Sequence, residues 1–490
     1  MNNKKELTIV IITIIVVAIL MATKTFQNDT FYSIKVGEVI SKYGVDMLDH
    51  FSYHNLAYSY PHWFYDLIIY YVYSLFSYDG LYVFNILSFI VLGVVFFFVN
   101  LRINKRFSVV SIMSILTSVM ISAYVVVRAQ SISYILFVLE IYFIRMLLET
   151  NENRYVIYLF IISLLICNIH IAVWPLYFVL YLPYIVEYLI TKMRKLYKFL
   201  SKKLLICKEN NIKKLLFTML ISLGTGVLTP LDFYPYTYFI KTSIGNSQSY
   251  ILEHGLGFGV SIITISLILV SFLVALILLK SKEKIRIIDI FMICGLCLMT
   301  VLSQRHFALL VILGMISLSS ILITYLKKNN FVINMLFDSK LFFYVVVIEV
   351  IFISGIKFIY TANKDYVNKE FYPIQAVNYL KDNYDVNNIR IFNEYDFGSY
   401  LILNDVPVFI DSRADLYTNE FSGLSYDIFD DFMDINSGNI NKLESYNIDV
   451  VVIYRDRVLD SQLKNDYDYI KVYQDDYFVI YEYRDSFSFG

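Results

Sequence analysis

The sequence is poor in charged residues and in cysteine, and each shortage excludes a class of protein. Only 17% of the 490 residues are charged, against about 25% in an ordinary soluble domain, so a wholly soluble chain is excluded. The net charge of -1 gives none of the basic excess that nucleic-acid binding needs. The cysteines are Cys167, Cys207, Cys294 and Cys297. Since all precede residue 360, the remainder of the chain cannot contain a disulfide.

Motifs for bound cofactors are weak or absent. Cys294 and Cys297 form a CxxC pattern inside an apolar run with no further metal ligand, so ordinary packing explains them better than zinc or redox chemistry. No glycine-rich phosphate loop appears after residue 360. The sequence therefore identifies no cofactor, and a divalent cation held by acidic side chains is the option that it leaves open.

Apolar residues make up 58% of the sequence and dominate it up to about Tyr360. Their runs are close to the roughly 20 residues that a helix needs to cross a bilayer. Eleven membrane spans are predicted, at about residues 7–23, 81–100, 108–127, 131–148, 155–170, 171–190, 215–230, 257–280, 287–303, 306–326 and 341–359. No clear cleavage site follows the first run, so we interpret it as a retained span. Residues 1–360 then form the transmembrane domain and residues 361–490 a soluble α/β domain.

The stretch 62–78 (HWFYDLIIYYVYSLFSY) is amphipathic and rich in tyrosine. We interpret it as an interfacial helix within a long first outer loop, residues 24–80. The basic loops support this interpretation, because short loops rich in Lys and Arg stay in the cytoplasm. With 62–78 outside the membrane, Lys4, Lys5 and the basic loop 192–214 all fall inside. The predicted topology has a cytoplasmic N-terminus and an extracytoplasmic C-terminal domain.

Polar and charged side chains gather in the first outer loop and at the predicted outer helix ends. Charged groups at membrane depth are costly and usually mark a site or a water-filled cavity, although polar groups at helix ends also reach the interface without any function. For the set as a whole we favour a site. Its members are Asp29, Glu38, Asp49, His50, His54, His62, Asp66, Arg128, Gln130, Asn168, His170, Glu253, His254, Arg305 and His306.

Carboxylates and arginines give this set its chemistry. A carboxylate in the first outer loop can act as general base on an acceptor hydroxyl or help to hold a divalent cation, while a solvated acidic surface is the structural alternative. Arg128 and Arg305 lie where the positive-inside bias would not place them. Two guanidinium groups can hold a phosphate or diphosphate bidentately. A base and an anion clamp at a membrane surface fit the displacement of a lipid phosphate from a sugar.

Several segments resemble, in order, the motifs of bacterial GT-C-type membrane proteins. NDTFYSIKVGEVISKYGVDMLDHFSY, followed by PHWFYD, resembles their first outer loop, with its patterns D-x-W-W-H-L-x-x-G-E, D-x-F-S-Y-T and H-E-W-L. VRAQSISYILF, CNIHIAVW, GVLTPLDFYPYTY, SYILEH and SQRHFAL resemble shorter motifs of the membrane helices. The C-terminal RIFNEYDFGSYLILNDVPVFIDSRADLY resembles V-F-N-x-Y-x-W-G-G-Y-L followed by P-V-F-I-D-G-R-A-D-L-Y, which is the most specific match.

The resemblance spans nearly the whole chain. It implies the fold of glycosyltransferases that depend on polyprenyl- or dolichyl-phosphate sugars. In GT-C enzymes an Asp of the first outer loop is the catalytic base. By its position after the first span, Asp29 matches that residue, and Asp49 is the second candidate.

Asp411, Arg413 and Asp415 follow a predicted strand of the C-terminal domain. The strand patterns there are IRIFNEY, PVFIDS, IDVVVIY and YFVIYEY, and PIQAVNYLKDNY has the pattern of a helix. Ligand sites of α/β domains often lie at strand ends, so these three residues could contact a sugar or an acceptor. A structural ion-pair turn is equally compatible with the pattern.

Three functions are compatible with these observations. The first is a membrane glycosyltransferase that moves a sugar from a polyprenyl-phosphate donor to an envelope glycan, lipid or protein, with Asp29 as base and Arg128 and Arg305 on the phosphate. The second is a transporter or flippase of lipid-linked sugars. Internal repeats and paired broken helices in the sequence would favour this function. The third is a non-catalytic envelope-assembly protein of the same fold. Three departures from the family pattern favour it: Ser33 replaces a His, Trp63 or Phe64 stands where the pattern has a Glu, and no Gly follows His170.

The topology can be tested with a reporter that is active only outside the cytoplasm. We expect activity after fusion at Gly490 and silence after insertion in the loop 192–214, because basic loops are retained inside. The reverse pattern would show that the predicted topology is inverted.

Overall fold

The computed structural model describes residues 3–207, 211–244, 262–327 and 331–484. The chain divides into two compact units. The helical unit comprises the described residues of Met1–Thr23, Tyr82–Pro235 and Ile251–Asn363, and the mixed unit those of Lys24–Leu81, Tyr236–Tyr250 and Lys364–Gly490. The first outer loop and the C-terminal segment thus share one unit, a grouping that the sequence does not reveal.

Most of the described chain is helical, since a helix satisfies its own backbone hydrogen bonds where no water is present. The helices are α1 (Asn3–Met21), α2 (Asn28–Tyr43), α3 (Trp63–Asn104), α4 (Phe107–Ile121), α5 (Ala129–Thr150), α6 (Asn153–Ile169), α7 (Ile171–Lys192), α8 (Arg194–Leu200), α9 (Ile212–Leu223), α10 (Tyr234–Ile244), α11 (Ile262–Lys280), α12 (Ile287–Leu302), α13 (Gln304–Leu326), α14 (Phe331–Asp338), α15 (Lys340–Thr361), α16 (Ile374–Asn383), α17 (Gly398–Leu403), α18 (Asn419–Ser422), α19 (Ile428–Asn436), α20 (Asn441–Ser445) and α21 (Val458–Leu463). The strands are β1 (Leu204–Leu205), β2 (Ile285–Arg286), β3 (Ile391–Asn393), β4 (Val450–Tyr454), β5 (Tyr469–Gln474) and β6 (Phe478–Tyr483).

Within the described residues, six helices are long and apolar enough to cross a membrane. They are α3, α5, α7, α11, α13 and α15. The helices α4, α6 and α12 are also apolar but shorter. These helices agree with the multi-pass architecture that the sequence predicts, while the count of eleven spans stays a prediction.

The long helix α3 is interrupted at Ser77. This residue has φ 54° and ψ -151°, values that lie outside the helical region, so α3 consists of two helices joined end to end. The sequence predicts an interfacial helix at 62–78 and a separate span at 81–100, and the interruption falls at the end of the first of these. That residues 62–78 lie in the interface, rather than across the bilayer, stays a prediction.

A buried ion pair ties three helices of the helical unit together. Arg145 of α5 lies 2.5 Å from Asp289 of α12, and the side chains are 4% and 0% exposed. The hydroxyl of Ser320 in α13 donates a hydrogen bond to the same carboxylate. Removing one partner of a buried pair leaves an uncompensated charge, which costs roughly 3–5 kcal/mol.

The mixed unit contains a four-stranded sheet with the order β3-β4-β6-β5. β3 and β4 are parallel, with Ile391 opposite Val450, and the other two pairs are antiparallel. β4 (VVVIY) is buried at every position, as expected of β-branched residues in a central strand. The predicted helix PIQAVNYLKDNY is confirmed as α16, and three predicted strands are confirmed as β3, β4 and β6. The edge strand β5 was not predicted.

The segment PVFIDS does not form a regular strand, so that prediction is wrong. It makes a single β-bridge, between Val408 and Ser52. The Asn393 side chain takes the place of a strand partner: it donates to the carbonyl oxygen of Ile410 (2.7 Å) and accepts from the N–H of Phe409 (2.9 Å). Because these buried backbone groups are already satisfied, the segment needs no neighbouring strand.

Candidate functional site

Asp29 lies in the first turn of α2, and its neighbour Asn28 fixes that turn. The Asn28 side chain donates to the carbonyl oxygen of Tyr395 (2.9 Å) and accepts from the N–H of Ser399 (3.1 Å). The Asn28 amide therefore binds both ends of a second turn, residues 395–399, which leads into α17. Asp29 itself is partly exposed, and the helix N-terminus favours its negative charge.

Gly398 allows this turn to approach the segment that follows it in the chain. A Cβ at Gly398 would lie 2.1 Å from the carbonyl oxygen of Ile410 and 2.8 Å from the Cα of Asp411, which is closer than any side chain tolerates. Next to it, the Ser399 hydroxyl donates to the Ser412 hydroxyl (2.9 Å). The two C-terminal motifs, FNEYDFGSYL and PVFIDSRADLY, are therefore one packed structure.

Arg413 and two carboxylates form a buried charge network in the mixed unit. The Nε and Nη2 atoms of Arg413 donate to the two oxygens of Asp411, at 2.8 and 2.6 Å, and its Nη1 donates to Asp49 at 2.7 Å. The acid side chains are 0% exposed and that of Arg413 is 3% exposed. The Tyr417 hydroxyl donates to Asp411 as well (2.9 Å). The planar fork of a guanidinium is suited to such multiple, charge-assisted bonds.

Asp49 enters this network from the first outer loop. Its carboxylate also accepts from the N–H of Phe51 (3.1 Å) and from the Ser52 hydroxyl. The rings of Phe51 and Tyr58 lie 5.0 and 4.8 Å from the Arg413 guanidinium, within the range of cation–π attraction. The oxygens of Asp49 are thus engaged inside the unit, an arrangement typical of a structural ion pair.

Three further predicted residues of the mixed unit lie apart from this network. Glu38 pairs with Lys35 and Lys42 of its own helix, at 2.8 and 2.5 Å. Burial acts to raise the pKa of Glu38, but the hydrogen bonds from these two lysines outweigh it and lower that pKa. Asp415 accepts a hydrogen bond from a tyrosine hydroxyl of α10 (2.9 Å). His62 is partly exposed and directly precedes α3.

Four predicted residues of the helical unit lie where α5 begins and α6 ends. Arg128 directly precedes α5, and Gln130 is in its first turn. His170 follows α6 and is buried, and its Nδ1 is 3.1 Å from the hydroxyl of Ser133 in α5. Asn168 donates to two backbone carbonyl oxygens. The contact between His170 and Ser133 therefore orders the start of α5, next to Arg128.

Arg305 and His306 lie in the first turn of α13, and a ring contact brings this turn to the loop before α5. The rings of Tyr124 and Phe307 are 5.9 Å apart. Tyr124 shortly precedes Arg128, and Phe307 directly follows His306. Both arginines are partly exposed. The two segments that carry the arginines thus meet within the helical unit.

Two members of the predicted site, Glu253 and His254, lie outside the described residues. Among the residues that the structure describes, no three His, Cys, Asp or Glu side chains are grouped in a way that could hold a metal ion. The sequence therefore remains the only basis for considering a divalent cation.

Glu394 is a buried acid that was not predicted from the sequence. It directly follows β3 and is 4% exposed, and its Oε2 lies 3.2 Å from both Arg457 Nη1 and Asn436 Nδ2. Burial raises the pKa of Glu394 to about 7, in spite of the nearby Arg457 guanidinium. The sequence gave no indication that Glu394 is buried, because an acidic residue that follows a short strand is usually exposed.

No family model matches the chain, and no curated protein shows significant sequence similarity to it. Its fold is similar to that of solved structures. The crystal structure of ArnT from Cupriavidus metallidurans, bound to undecaprenyl phosphate, has 10% sequence identity and a TM-score of 0.57, with 98% of each chain covered. The arabinofuranosyltransferase AftD from Mycobacteria has 9% identity and a TM-score of 0.53, with 98% of this chain and 40% of AftD covered.

A third similar structure is the archaeal oligosaccharyltransferase AglB from Archaeoglobus fulgidus, in complex with an inhibitory peptide and a dolichol-phosphate. It has 9% identity and a TM-score of 0.50, with 91% of this chain and 69% of AglB covered. The chain thus spans nearly all of ArnT but well under half of AftD. All three proteins have the GT-C fold. The chain is accordingly a multi-pass membrane protein with a GT-C-like fold and a small C-terminal sheet region, as the sequence predicts.

Replacing Arg413 tests the buried network. Arg413→Met would leave Asp411 and Asp49 buried without their counter-charge, and we expect it to destabilise the mixed unit by roughly 3–5 kcal/mol. Arg413→Lys keeps the charge but loses the fork, so an intermediate loss is expected. Hydrogen exchange of peptides from the mixed unit measures the effect, with the exposed Arg484→Lys as control. Equal protection in Arg413→Met and wild type would contradict a stabilising role for the network.

Glu394 predicts a specific pH dependence of stability. The pKa of Glu394 is about 7 in the folded chain against an ordinary 4.5. Between pH 4.5 and 7, the folded chain therefore keeps a proton on Glu394 that the unfolded chain has lost. The contribution of Glu394 is fully present below pH 4.5 and is lost as the pH rises through 7, by up to roughly 3 kcal/mol. The stability difference between wild type and Glu394→Gln, from hydrogen exchange of β3 and β4 corrected for intrinsic rates, should follow this change. A difference that is constant over this pH range would contradict the prediction.

Proposed function

We propose that the chain is a membrane glycosyltransferase that moves a sugar from a polyprenyl-phosphate donor to a cell-envelope acceptor on the extracytoplasmic face. The observation that carries the proposal is the contrast between the two candidate bases. Asp29 is partly exposed on a turn fixed by Asn28, whereas Asp49 is buried and bound to Arg413. The fold supports the choice of donor, since the ArnT and AglB structures hold undecaprenyl phosphate and a dolichol-phosphate.

In this proposal Asp29 is the general base. Its carboxylate takes the proton of an acceptor hydroxyl while the acceptor oxygen forms a bond to the anomeric carbon of the sugar. The bond from that carbon to the phosphate oxygen breaks, and the polyprenyl phosphate leaves with the bonding electrons. The hydrogen bonds of Asn28 order the turn before any substrate arrives, so less entropy is lost when the reacting groups are aligned.

Arg128 and Arg305 are assigned to the phosphate of the donor. Both side chains are partly exposed, and the contact between Tyr124 and Phe307 joins the segments that carry them. Guanidinium groups bind phosphate oxygens bidentately and stabilise the charge that develops on the leaving phosphate. The buried contact between His170 and Ser133 supports this role by ordering the start of α5.

Asp411 and Arg413 are assigned a structural role. Their side chains are buried and engaged with each other, with Asp49 and with Tyr417. We therefore assign them to holding the first outer loop rather than to contacting a sugar. Of the two alternatives that the sequence left open for this motif, the buried network favours the ion-pair turn.

Asp29→Asn tests the proposed base. Asparagine has nearly the shape of the acid but cannot accept the proton, and loss of a general base reduces the rate by roughly 10²–10⁴-fold. In a strain deleted for the gene, wild type should restore an envelope glycan that mass spectrometry detects, and Asp29→Asn should fail at an equal protein level in the membrane.

Two variants make this experiment decisive. Asp382→Asn removes an exposed acid from α16 and should restore the glycan fully. Asp49→Asn should reduce the amount of folded protein, with a milder loss of glycan per folded molecule. Full restoration by Asp29→Asn would rule out Asp29 as the base, and an unchanged glycan profile in the deletion strain would argue against a transferase.

The two arginines can be tested by their affinity for the donor headgroup. Arg128→Lys and Arg305→Lys keep the charge but lose the planar fork, so each should weaken binding of polyprenyl phosphate by roughly 10-fold. Native mass spectrometry of the purified protein with added polyprenyl phosphate measures the affinity. Arg102→Lys, an exposed arginine at the far end of α3, should bind as wild type does. Wild-type binding by the double alanine variant of Arg128 and Arg305 would refute the assignment.

A further inference from the structure

Asp66 is an acid buried inside the mixed unit, and no described residue supplies a counter-charge to it. It is 0% exposed, and neither of its carboxylate oxygens has a hydrogen bond of ordinary geometry among the described residues. The polar groups that act on it are the Ser33 hydroxyl and the Asp29 carboxylate, both on α2. An ionised carboxylate is very costly in such a place, so a buried acid of this kind takes up a proton.

Close packing between α2 and the first half of α3 fixes this arrangement. A Cβ at Gly37 would lie 2.1 Å from the carbonyl oxygen of Asp66 and 2.5 Å from the Cβ of Tyr70, so the two helix backbones are in contact there. Asp29, Ser33 and Gly37 follow one another at intervals of one helical turn and therefore share one face of α2. The face of α2 that carries the proposed base is the face that covers Asp66.

The two acids differ in how well they tolerate a negative charge. Asp29 is partly exposed and lies at a helix N-terminus, where a negative charge is favoured. Asp66 is shut off from water, and the groups around it, Ser33 on α2 and Tyr70 on its own helix, are uncharged. Of the described residues, only Asp29 brings a charge to it, and that charge is negative. A negative charge on Asp66 is therefore unfavourable, and the buried contact between α2 and α3 requires Asp66 to be neutral.

We propose that Asp66 is a positioning residue. As a buried neutral acid, it keeps the negative charge of the pair on Asp29 and holds in place the helix α2, which carries Asp29. The inference rests on the proposed function of Asp29. When Asp66 loses its proton at high pH, a second charge enters the contact between α2 and α3. That charge repels Asp29 and loosens the packing at Gly37, so transfer falls.

The first experiment detects the proton directly in the purified full-length protein at neutral pH. The infrared difference spectrum between wild type and Asp66→Asn should contain the carbonyl stretch of one protonated carboxylic acid, which shifts in heavy water. Asp382→Asn, which removes an exposed and ionised acid, should give no such band. If the band is missing from the Asp66→Asn difference, Asp66 is ionised and the proposal is overturned, whatever reaction the chain catalyses.

The second experiment measures the pH profile of glycan formation by isolated membranes, in which donor and acceptor are endogenous. Asparagine copies the shape of the neutral acid but cannot ionise. Asp66→Asn should therefore retain transfer within about threefold of wild type at neutral pH, far from the loss of roughly 10²-fold expected when a base is removed. It should also lose the decline of wild type at high pH.

A loss of activity in Asp66→Asn at neutral pH, with the high-pH decline unchanged, would refute the positioning role. If wild-type membranes form no glycan at all, the proposed transferase function fails. The infrared result then still decides whether Asp66 holds a proton.

Discussion

A guanidinium group that is shut off from water must be matched by negative charge, and the mixed unit is built around this requirement. Arg413 takes one carboxylate from its own segment, Asp411, and one from the first outer loop, Asp49. Since no other cation among the described residues pairs with either acid, separating the loop from the C-terminal segment would strand buried charges. The first outer loop, which contains α2 and the start of α3 but no regular strand, is thus tied to the C-terminal segment by this ion pair.

The position of the proposed base follows from this constraint. The C-terminal motifs look like a catalytic signature in sequence, yet their residues perform structural tasks. Asn393 supplies backbone partners, Gly398 permits a close approach, and Arg413 binds the loop. The product of these contacts is a fixed turn that bonds Asn28 and so orients the start of α2. In the proposed function, these motifs therefore support the base through the turn that binds Asn28.

Elements that depend on local periodicity were predictable from the sequence. α16 has an apolar face of helical period, and β4 is a run of β-branched residues between polar segments, so both were identified. PVFIDS has the same local pattern as a strand, but the side chain of Asn393 binds its backbone in place of a neighbouring strand. Such a tertiary contact cannot be read from the local pattern. β5 is an edge strand with mixed polarity, which resembles a loop when only its own residues are considered.

The candidate site divides in the same way. Asp29 and Asp49 are both acids of the first outer loop, and in the sequence only the position of Asp29 after the first span ranks it above Asp49. What distinguishes them in the structure is Arg413, 364 residues further along the chain. Glu394 gave no signal, and Asp66 stood out only as one of several acids of the first outer loop, because burial of a single acid depends on helices and strands that pack against it from elsewhere in the chain. Residue type thus selected the candidates for the site, whereas the contacts that separate one candidate from another required the tertiary structure.

The hydrogen bond from Asn28 to Tyr395 spans 367 residues, and this distance has a consequence for biosynthesis. The ribosome adds roughly 5–20 residues per second, so on the order of 20 to 70 seconds separate the emergence of α2 from that of its clamp. Throughout that interval the first outer loop has its own contacts, such as the packing of α2 against α3 at Gly37, but lacks those of the C-terminal segment. In the proposed function, the geometry around Asp29 is therefore completed only when translation is nearly finished, and we expect a prematurely terminated chain to lack transfer activity.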